Sequence, residues 1–424
     1  MMIRFVSDVR SNRGRSRPVA STRAGAWTAA LALLAAATLA PPALAAGPKG
    51  VVYVESNDPA GNAILAYSRA DDGSLTPLTG SPFPTGGLGV SFGISLGAFD
   101  SDQDIIANPA GTLLFAVNGG SDTIAVFDIG PDGSLAPVPG SPFPSGGSQP
   151  SSLGLAGDVL CVVNKDEDPG HPGEALPNYT TFRVDARGKL TPVRGSTFSL
   201  DFGADPSQAL ISPNRRLMFG ADFLGGILRS FAIDPNGQLD PRAALPLPES
   251  EFSDSPAPPL PLGLAVHPTR PLLYVGFVTI NRIGVYTYRP SGSLHFLRSV
   301  HDSGSGVCWL LLNKAATRLY ASNTVDPSVS VYDLTNPTAP VEIQKVNLKG
   351  AGGPSSPGGY QFSLDPTGQF LHVVTQQFSP TSTAQANALH TFRVGADGKV
   401  TEVPSSPLIL PVPNMTRPQG VLAF

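Results

Sequence analysis

The chain has 424 residues, of which 14% are charged and 41% are hydrophobic, and its formal net charge is -4. The charged fraction is well below the roughly 25% of typical soluble domains, which excludes a solvated disordered polymer. Beyond residues 1–25, Lys and Arg form no basic stripe, so nucleic-acid binding has no electrostatic support. The 46 Gly and 44 Pro residues favour an all-β protein with many tight turns.

The first 45 residues have the organisation of a signal peptide. Arginines are concentrated in residues 1–25, an apolar run occupies residues 26–40, and the Ala-Leu-Ala of residues 43–45 is a small-x-small cleavage signal. The apolar run is shorter than the roughly 20 residues of a membrane-spanning helix. We therefore expect cleavage after Ala45, export to the periplasm or the cell exterior, and no membrane span in residues 46–424. An uncleaved anchor is the alternative.

A hairpin pattern recurs along the rest of the chain. An aromatic residue is followed six positions later by Gly, in copies that begin at Tyr67, Phe127, Phe182, Phe231, Tyr286 and Phe392. A seventh copy, at Tyr332, has Asn336-Pro337 near its turn instead. Asp or Asn before several of the glycines supplies the positive φ of a tight turn. Each copy is therefore predicted to be a β-hairpin.

Two further strands belong to each repeat. A short apolar strand recurs seven times, at intervals of about 50 residues that match the length of a propeller blade. Its copies are centred on Tyr53, Phe115, Cys161, Phe219, Tyr274, Tyr320 and His372. Another apolar segment precedes it and is assigned to the inner strand of a blade. The first copy lacks this segment, and residues 417–424 have its pattern. The sequence thus predicts one all-β domain, a seven-bladed β-propeller of four-stranded antiparallel blades, with the ring closed by the C-terminal strand.

The repeat resembles the seven-bladed lactonase propellers, which are 6-phosphogluconolactonase-like and related to the YVTN surface repeats. The likeness is clearest in residues 264–275 (LAVHPTRPLLYV) and 124–135 (IAVFDIGPDGSL), and it extends over residues 50–424. The resemblance implies a hydrolase of carbohydrate metabolism that opens a sugar lactone or related cyclic ester in the central channel. It also implies an Arg-His pair and a Glu at the starts of inner strands, where this chain has no His, no Glu and a single Arg, Arg417. A non-catalytic propeller that binds a ligand or a protein is therefore the alternative.

Polar residues at the starts of the inner strands form the candidate site. They are expected to converge on one mouth of the channel and to bind a small polar ligand; they are Gln103, Ser207, Gln208, Tyr360, Gln361 and Gln419. For lactone hydrolysis we expect Arg417 to stabilise the oxyanion and Asp102 or Asp104 to act as the base on water. The alternatives are a solvated channel wall and an ion pair between Arg417 and one of these aspartates.

Three carboxylates, Asp100, Asp102 and Asp104, alternate along the chain before the second inner strand. Alternate residues of an extended strand share one face, and three carboxylates on one face would favour Ca²⁺. The motif lacks the Gly and distal Glu of an EF-hand loop, so a solvated strand start is the alternative. No other cofactor is expected. We expect a monomer whose partner is a small polar ligand or a protein.

We predict that protein recovered from the periplasm or the medium begins at Ala46. Signal cleavage requires small residues at the cut, so Ala45→Arg should leave the precursor intact while the wild type is processed. N-terminal sequencing of both proteins measures this. Recovery of residues 26–40 with membrane-bound wild type would contradict the assignment.

Overall fold

The blades predicted from the repeat are separate antiparallel sheets in the structure. A computed structural model describes residues 50–90, 101–166, 175–350, 358–376, 387–413 and 416–424. Their strands form seven sheets, and each sheet runs in order from an inner strand to an outer one. Each inner strand contacts the inner strands of the neighbouring blades, so the sheets form a ring around a central channel. The prediction of an all-β, seven-bladed propeller is confirmed.

Each blade contributes an inner, a second, a third and an outer strand, and in the first, second, third and seventh blades an additional two-residue strand pairs with the third strand. The first blade contains β1 (Val51–Glu55), β2 (Ala63–Arg69), β3 (Leu75–Pro77) and β4 (Phe83–Pro84). The second blade contains β5 (Ile105–Ala107), β6 (Leu113–Asn118), β7 (Thr123–Ile129), β8 (Leu135–Pro137) and β9 (Phe143–Pro144). The third blade contains β10 (Pro150–Ala156), β11 (Val159–Asn164), β12 (Asn178–Val184), β13 (Leu190–Pro192) and β14 (Phe198–Ser199). The fourth and fifth blades contain β15 (Leu210–Ile211), β16 (Leu217–Asp222), β17 (Ile227–Ile233) and β18 (Leu239–Pro246); β19 (Pro261–Val266), β20 (Leu272–Phe277), β21 (Arg282–Tyr288) and β22 (Leu294–His301). The sixth blade contains β23 (Val307–Leu312), β24 (Arg318–Asn323), β25 (Ser328–Asp333) and β26 (Val341–Asn347). The seventh blade contains β27 (Gly358–Leu364), β28 (Phe370–Gln376), β29 (Ala388–Val394), β30 (Val400–Glu402) and β31 (Leu408–Ile409). Strand β32 (Val421–Ala423) follows in the chain and belongs to the first blade.

The second strand of each blade is buried on both faces because it lies between two neighbouring blades. Strand β6, LLFAVN, is buried at every position, which explains its continuous apolar sequence. Hydrogen bonds between blades add to this packing: the Tyr53 hydroxyl donates to the Gly133 carbonyl of the next hairpin at 2.8 Å. Tyr320 makes the same contact with Gly398 at 3.1 Å. The recurring tyrosine therefore connects one blade to the turn of the next.

Helical structure is confined to short segments in the described part of the chain. Helix α1 (Glu249–Phe252) lies in the insertion before the fifth blade, and a 3-10 turn follows β20 at Val278–Ile280. Phe252 is buried, and its ring centroid lies 5.5 Å from that of Phe277. None of the helices in the described residues has the length and apolar character needed to cross a bilayer. The predicted signal peptide lies outside the described residues.

The C-terminal strand completes the first blade. Strand β32 pairs antiparallel with β1, with Tyr53 opposite Leu422 and Val54 opposite Val421. The Gly50 amide also donates to the Phe424 carbonyl at 2.7 Å, and the Tyr53 and Phe424 rings meet edge to face at 5.9 Å. The predicted closure of the ring is confirmed.

We predict that deletion of residues 417–424 lowers the free energy of unfolding by more than about 5 kcal/mol or abolishes folding. The deletion removes the buried Val421 and the partly buried Leu422 and Phe424, apolar side chains whose full burial contributes roughly 1.5–3 kcal/mol each, and it exposes the edge of β1. Phe424→Ala is the matched control, and it should cost much less because the backbone pairing remains. Urea unfolding followed by circular dichroism measures both. An unchanged transition in the truncated protein would refute closure.

Candidate functional site

A cavity of about 500 Å³ occupies the centre of the ring. The inner strands of all seven blades line it, from Ile105 in the second blade to Leu422 on β32. Most of its side chains are aliphatic, and the polar ones, Asp102, Gln103, Gln208 and Gln361, lie at the starts of the inner strands. We call these four polar residues, together with the residues hydrogen-bonded to them, the polar end of the cavity.

The chain bends where the carboxylates alternate. Strand β5 begins only at Ile105, and Gln103 has a φ of 67°, so residues 102–104 are not an extended strand. The extended backbone on which the alternation argument depends is therefore absent at residues 102–104. The bend is held locally, because the Asp102 carboxylate accepts a hydrogen bond from the Gln103 amide at 2.8 Å. Asp100 lies outside the described residues.

Asp102, Gln103 and Gln208 form one hydrogen-bonded group at the cavity wall. The Gln208 Nε2 donates to Gln103 Oε1 at 2.9 Å and lies 3.4 Å from Asp102 Oδ2. Its Oε1 accepts from the Leu264 amide at 2.7 Å, while the Ser152 hydroxyl donates to the Asp102 carbonyl at 2.5 Å. Four blades therefore fix the position of one carboxylate.

A second group surrounds the Ser101 carbonyl. This oxygen accepts hydrogen bonds from Trp309 Nε1 at 2.7 Å, from Gln361 Nε2 at 3.0 Å and from Gln419 Nε2 at 3.3 Å. The Gln361 amide also donates to Asp104, and the Ser101 hydroxyl lies 3.3 Å from the same carboxylate. The predicted convergence of glutamines from different blades is thus present, with their amides bonded within the protein.

Glu55, at the end of β1, is a buried carboxylate that the sequence analysis missed. Asn62 Nδ2 donates to Glu55 Oε1 at 2.6 Å, and Glu55 Oε2 is buried without a hydrogen-bond partner. Glu55 ends a second strand, whereas the candidate site was predicted from residues at the starts of inner strands. The charged residue closing an otherwise apolar VVYVE strand was the available signal.

Burial sets the protonation of these carboxyl groups. It raises the pKa of Asp102 to about 7, against the opposing hydrogen bond from Gln103. Burial also raises the pKa of Asp104 well above its usual value, although the Gln361 hydrogen bond lowers it and Asp102 raises it further. Burial and then the charge of Asp104 raise the pKa of Glu55 in the same way. Asp102 combines a titration near neutrality with a place on the cavity wall, as a general base requires.

Ser207, Tyr360 and Arg417 are near the polar end but do not line the cavity. Ser207 is buried, and its hydroxyl lies 3.4 Å from the Ala221 carbonyl. The Tyr360 ring packs against Trp309 at a centroid distance of 4.9 Å. Arg417 is 9% exposed, and burial lowers its pKa while Tyr360 raises it. Among the ion pairs of the described residues, none joins Arg417 to Asp102 or Asp104, so the alternative of a seam ion pair is not supported.

Within the residues that the structure describes, no three His, Cys, Asp or Glu side chains are grouped to hold a metal ion. His267, the histidine before a turn proline, instead accepts the Thr269 and Arg270 amides at its Nδ1, both at 3.2 Å. Because Asp100 is outside these residues, calcium binding stays a prediction, and a chelator titration followed by melting temperature tests it.

The closed ring and the buried carboxyl groups at one end of its channel define a β-propeller with a central candidate site. The profile of the family described as lactonase, 7-bladed beta-propeller, matches residues 145–403. The chain therefore belongs to this family, as the repeat predicted. Comparison with curated proteins gives no match.

Solved structures show the same architecture. A candidate 6-phosphogluconolactonase from Bacteroides uniformis superposes with a TM-score of 0.66 at 14% identity, over 88% of this chain and 98% of that one. The periplasmic gluconolactonase of Pseudomonas aeruginosa has a TM-score of 0.66 at 16% identity, with the same coverage. A functionally unknown protein from Desulfotomaculum acetoxidans gives 0.60 at 14%, again over 88% and 98%. At these identities the likeness shows the fold alone.

We predict that Asp102→Asn stabilises the protein at pH 8 and has little effect at pH 4. The raised pKa of about 7 means that the folded state favours the protonated carboxyl. The stabilising contribution of the Asp102 carboxyl is present below its pKa in the unfolded chain, which is near 4. This contribution is lost as the pH rises to about 7. Melting temperatures at pH 4, 6 and 8 measure this, with Asp201→Asn at an exposed turn as the control. A variant difference that does not change with pH would contradict the raised pKa of Asp102.

Proposed function

We propose that this propeller is an exported lactonase, acting in the periplasm or outside the cell, that hydrolyses a lactone or related cyclic ester at the polar end of the cavity. The observation that carries the proposal is the position of Asp102. Its carboxylate lies on the cavity wall and has a pKa of about 7, which suits a base working near neutral pH. The membership of the lactonase family supports the reaction class.

In the proposed mechanism Asp102 takes a proton from a water molecule as the oxygen of that water attacks the lactone carbonyl. A carbon–oxygen bond forms, and the carbonyl oxygen becomes an oxyanion. Gln208 Nε2 lies 3.4 Å from Asp102 Oδ2 and donates to Gln103 Oε1 and the Leu264 carbonyl, and it would stabilise the oxyanion by exchanging one of these partners for it. The ring carbon–oxygen bond then breaks, and protonated Asp102 returns the proton to the leaving alkoxide. The product is an open-chain hydroxy acid.

Arg417 is the charged alternative for the oxyanion. It is the only Arg at the start of an inner strand in the sequence, and a charge-assisted hydrogen bond contributes roughly 1.5–3 kcal/mol. It lies beside Tyr360 and not in the cavity lining, so its side chain would have to turn toward the cavity. The sugar lactone implied by the family resemblance is one substrate class for this site.

Binding without turnover is the second candidate function. It is favoured by the hydrogen bonds that already engage the side-chain amides of Gln103, Gln208 and Gln361 within the protein. Such a propeller would hold a ligand at the same cavity, and its amides would change partners only when the ligand enters.

We predict that Asp102→Asn lowers kcat for lactone hydrolysis by about 10²–10⁴-fold, the usual contribution of a general base. In the wild type, kcat/KM should fall as the pH drops below about 7, because protonated Asp102 cannot accept a proton. A pH-stat assay over several lactones measures both effects. Asp201→Asn should retain wild-type activity. Ligand binding with no turnover of any lactone would overturn the lactonase proposal in favour of binding alone.

Arg417→Ala decides between the two oxyanion donors. If Gln208 has this role, the variant should keep its turnover per folded molecule and lose only melting temperature, since the Arg417 side chain is buried. A fall in turnover of about 10- to 150-fold at an unchanged melting temperature would instead assign the oxyanion to Arg417.

A further inference from the structure

The cavity changes character away from its polar end. Beyond Asp102, Gln103, Gln208 and Gln361, its lining side chains are hydrocarbon, apart from the indole of Trp309. Several are only partly buried although they belong to the inside of the ring, and they include Ile106, Leu155, Leu210, Ile211, Val266 and Leu311. Aliphatic side chains exposed to a cavity bind apolar groups by removing them from water.

A polyhydroxylated sugar lactone suits only part of this cavity. Its hydroxyl groups would lose hydrogen bonds to water and find no polar side chain along the aliphatic walls, leaving the backbone edges of the inner strands as their partners. A buried polar group without a hydrogen-bond partner weakens binding. The polar end offers one carboxylate and three amides, which is enough for the lactone ring and its carbonyl.

We propose that the substrate is an amphiphilic lactone whose ring lies at Asp102 and whose hydrocarbon arm extends along the apolar walls of the cavity. The hydrolysis of this substrate rests on the proposed lactonase function. The way in which the substrate binds in the cavity does not depend on that function. The volume of about 500 Å³ falls within the range of sites for small organic ligands. Specificity would then come from the length of the arm.

Trp309 provides a direct probe of the cavity. It lines the wall and, with Trp27, is one of two tryptophans in the chain. Full-length protein carrying Trp27→Phe therefore has a single indole, which belongs to the cavity wall. Binding can be followed by its fluorescence without any turnover.

The experiment titrates this protein with 2-alkylcyclopentanones of increasing chain length, which resemble lactones but cannot be hydrolysed. Each buried methylene contributes about 0.8 kcal/mol, so Kd should fall about fourfold per added carbon. In parallel, γ-lactones of the same chain lengths and gluconolactone are assayed for hydrolysis. A Kd that does not change with chain length, or gluconolactone turned over in preference to the alkyl lactones, would overturn the inference.

The two proposals fail separately. Length-dependent binding of the ketones without hydrolysis of any lactone would remove the lactonase function and keep the apolar binding mode. Hydrolysis of gluconolactone with no length dependence among the ketones would keep the lactonase function and remove this inference.

Substitutions in the lining of the cavity test where the ketone binds. Leu210→Ser on β15 should weaken the longest ketone at least tenfold and leave the unsubstituted ketone unchanged. Leu297→Ser, on the outer strand β22 with 38% exposure, is the matched control. If Leu210→Ser does not fold, Val266→Thr introduces a hydroxyl at nearly constant volume and should weaken the long ketone in the same direction. Equal affinities in the lining variant and the control would place the ligand elsewhere.

Discussion

The antiparallel pairing of β32 with β1 brings the two ends of the domain into a single sheet. This pairing fixes more than the first blade. The Glu55 amide donates to the Gly420 carbonyl at 2.9 Å, so the segment that carries Gln419 is held against the channel. Gln419 then reaches the Ser101 carbonyl of the second blade. The geometry of the polar end therefore depends on closure of the ring.

The polar end stores unfavourable energy that the rest of the ring offsets. Glu55, Asp102 and Asp104 are carboxyl groups with raised pKa values, and ionising any of them costs free energy in a buried environment. Extensive packing between the blades offsets the cost of these carboxyl groups. Unfavourable groups of this kind are common at functional sites. The carboxyl that faces the cavity is the one whose titration falls near neutral pH, whereas Asp104 is engaged by Gln361.

The sequence specified the blades because their pattern is local and repeated. The spacing from an aromatic residue to Gly, as after Tyr67 and Phe127, indicates a hairpin wherever it occurs. Closure of the ring was predicted because the first repeat lacks its own inner-strand segment. The site was less predictable. Gln103, Gln208, Gln361 and Gln419 were found by aligning blades, but the left-handed Gln103 and the role of Glu55 depend on contacts between blades that no local pattern encodes.

The first blade cannot be finished until the final strand of the propeller is available. During synthesis, β1 and β2 precede the other strands of the propeller, while their inner partner β32 follows all of them. Throughout that interval β1 has an unpaired edge of apolar residues, the kind of surface that chaperones recognise and that seeds aggregation. The amide of Gly50 lies 2.7 Å from the carbonyl of Phe424 in the completed ring, so the propeller could be circularly permuted: joining residues 424 and 50 by a short linker and opening a different loop would move this late step to another blade.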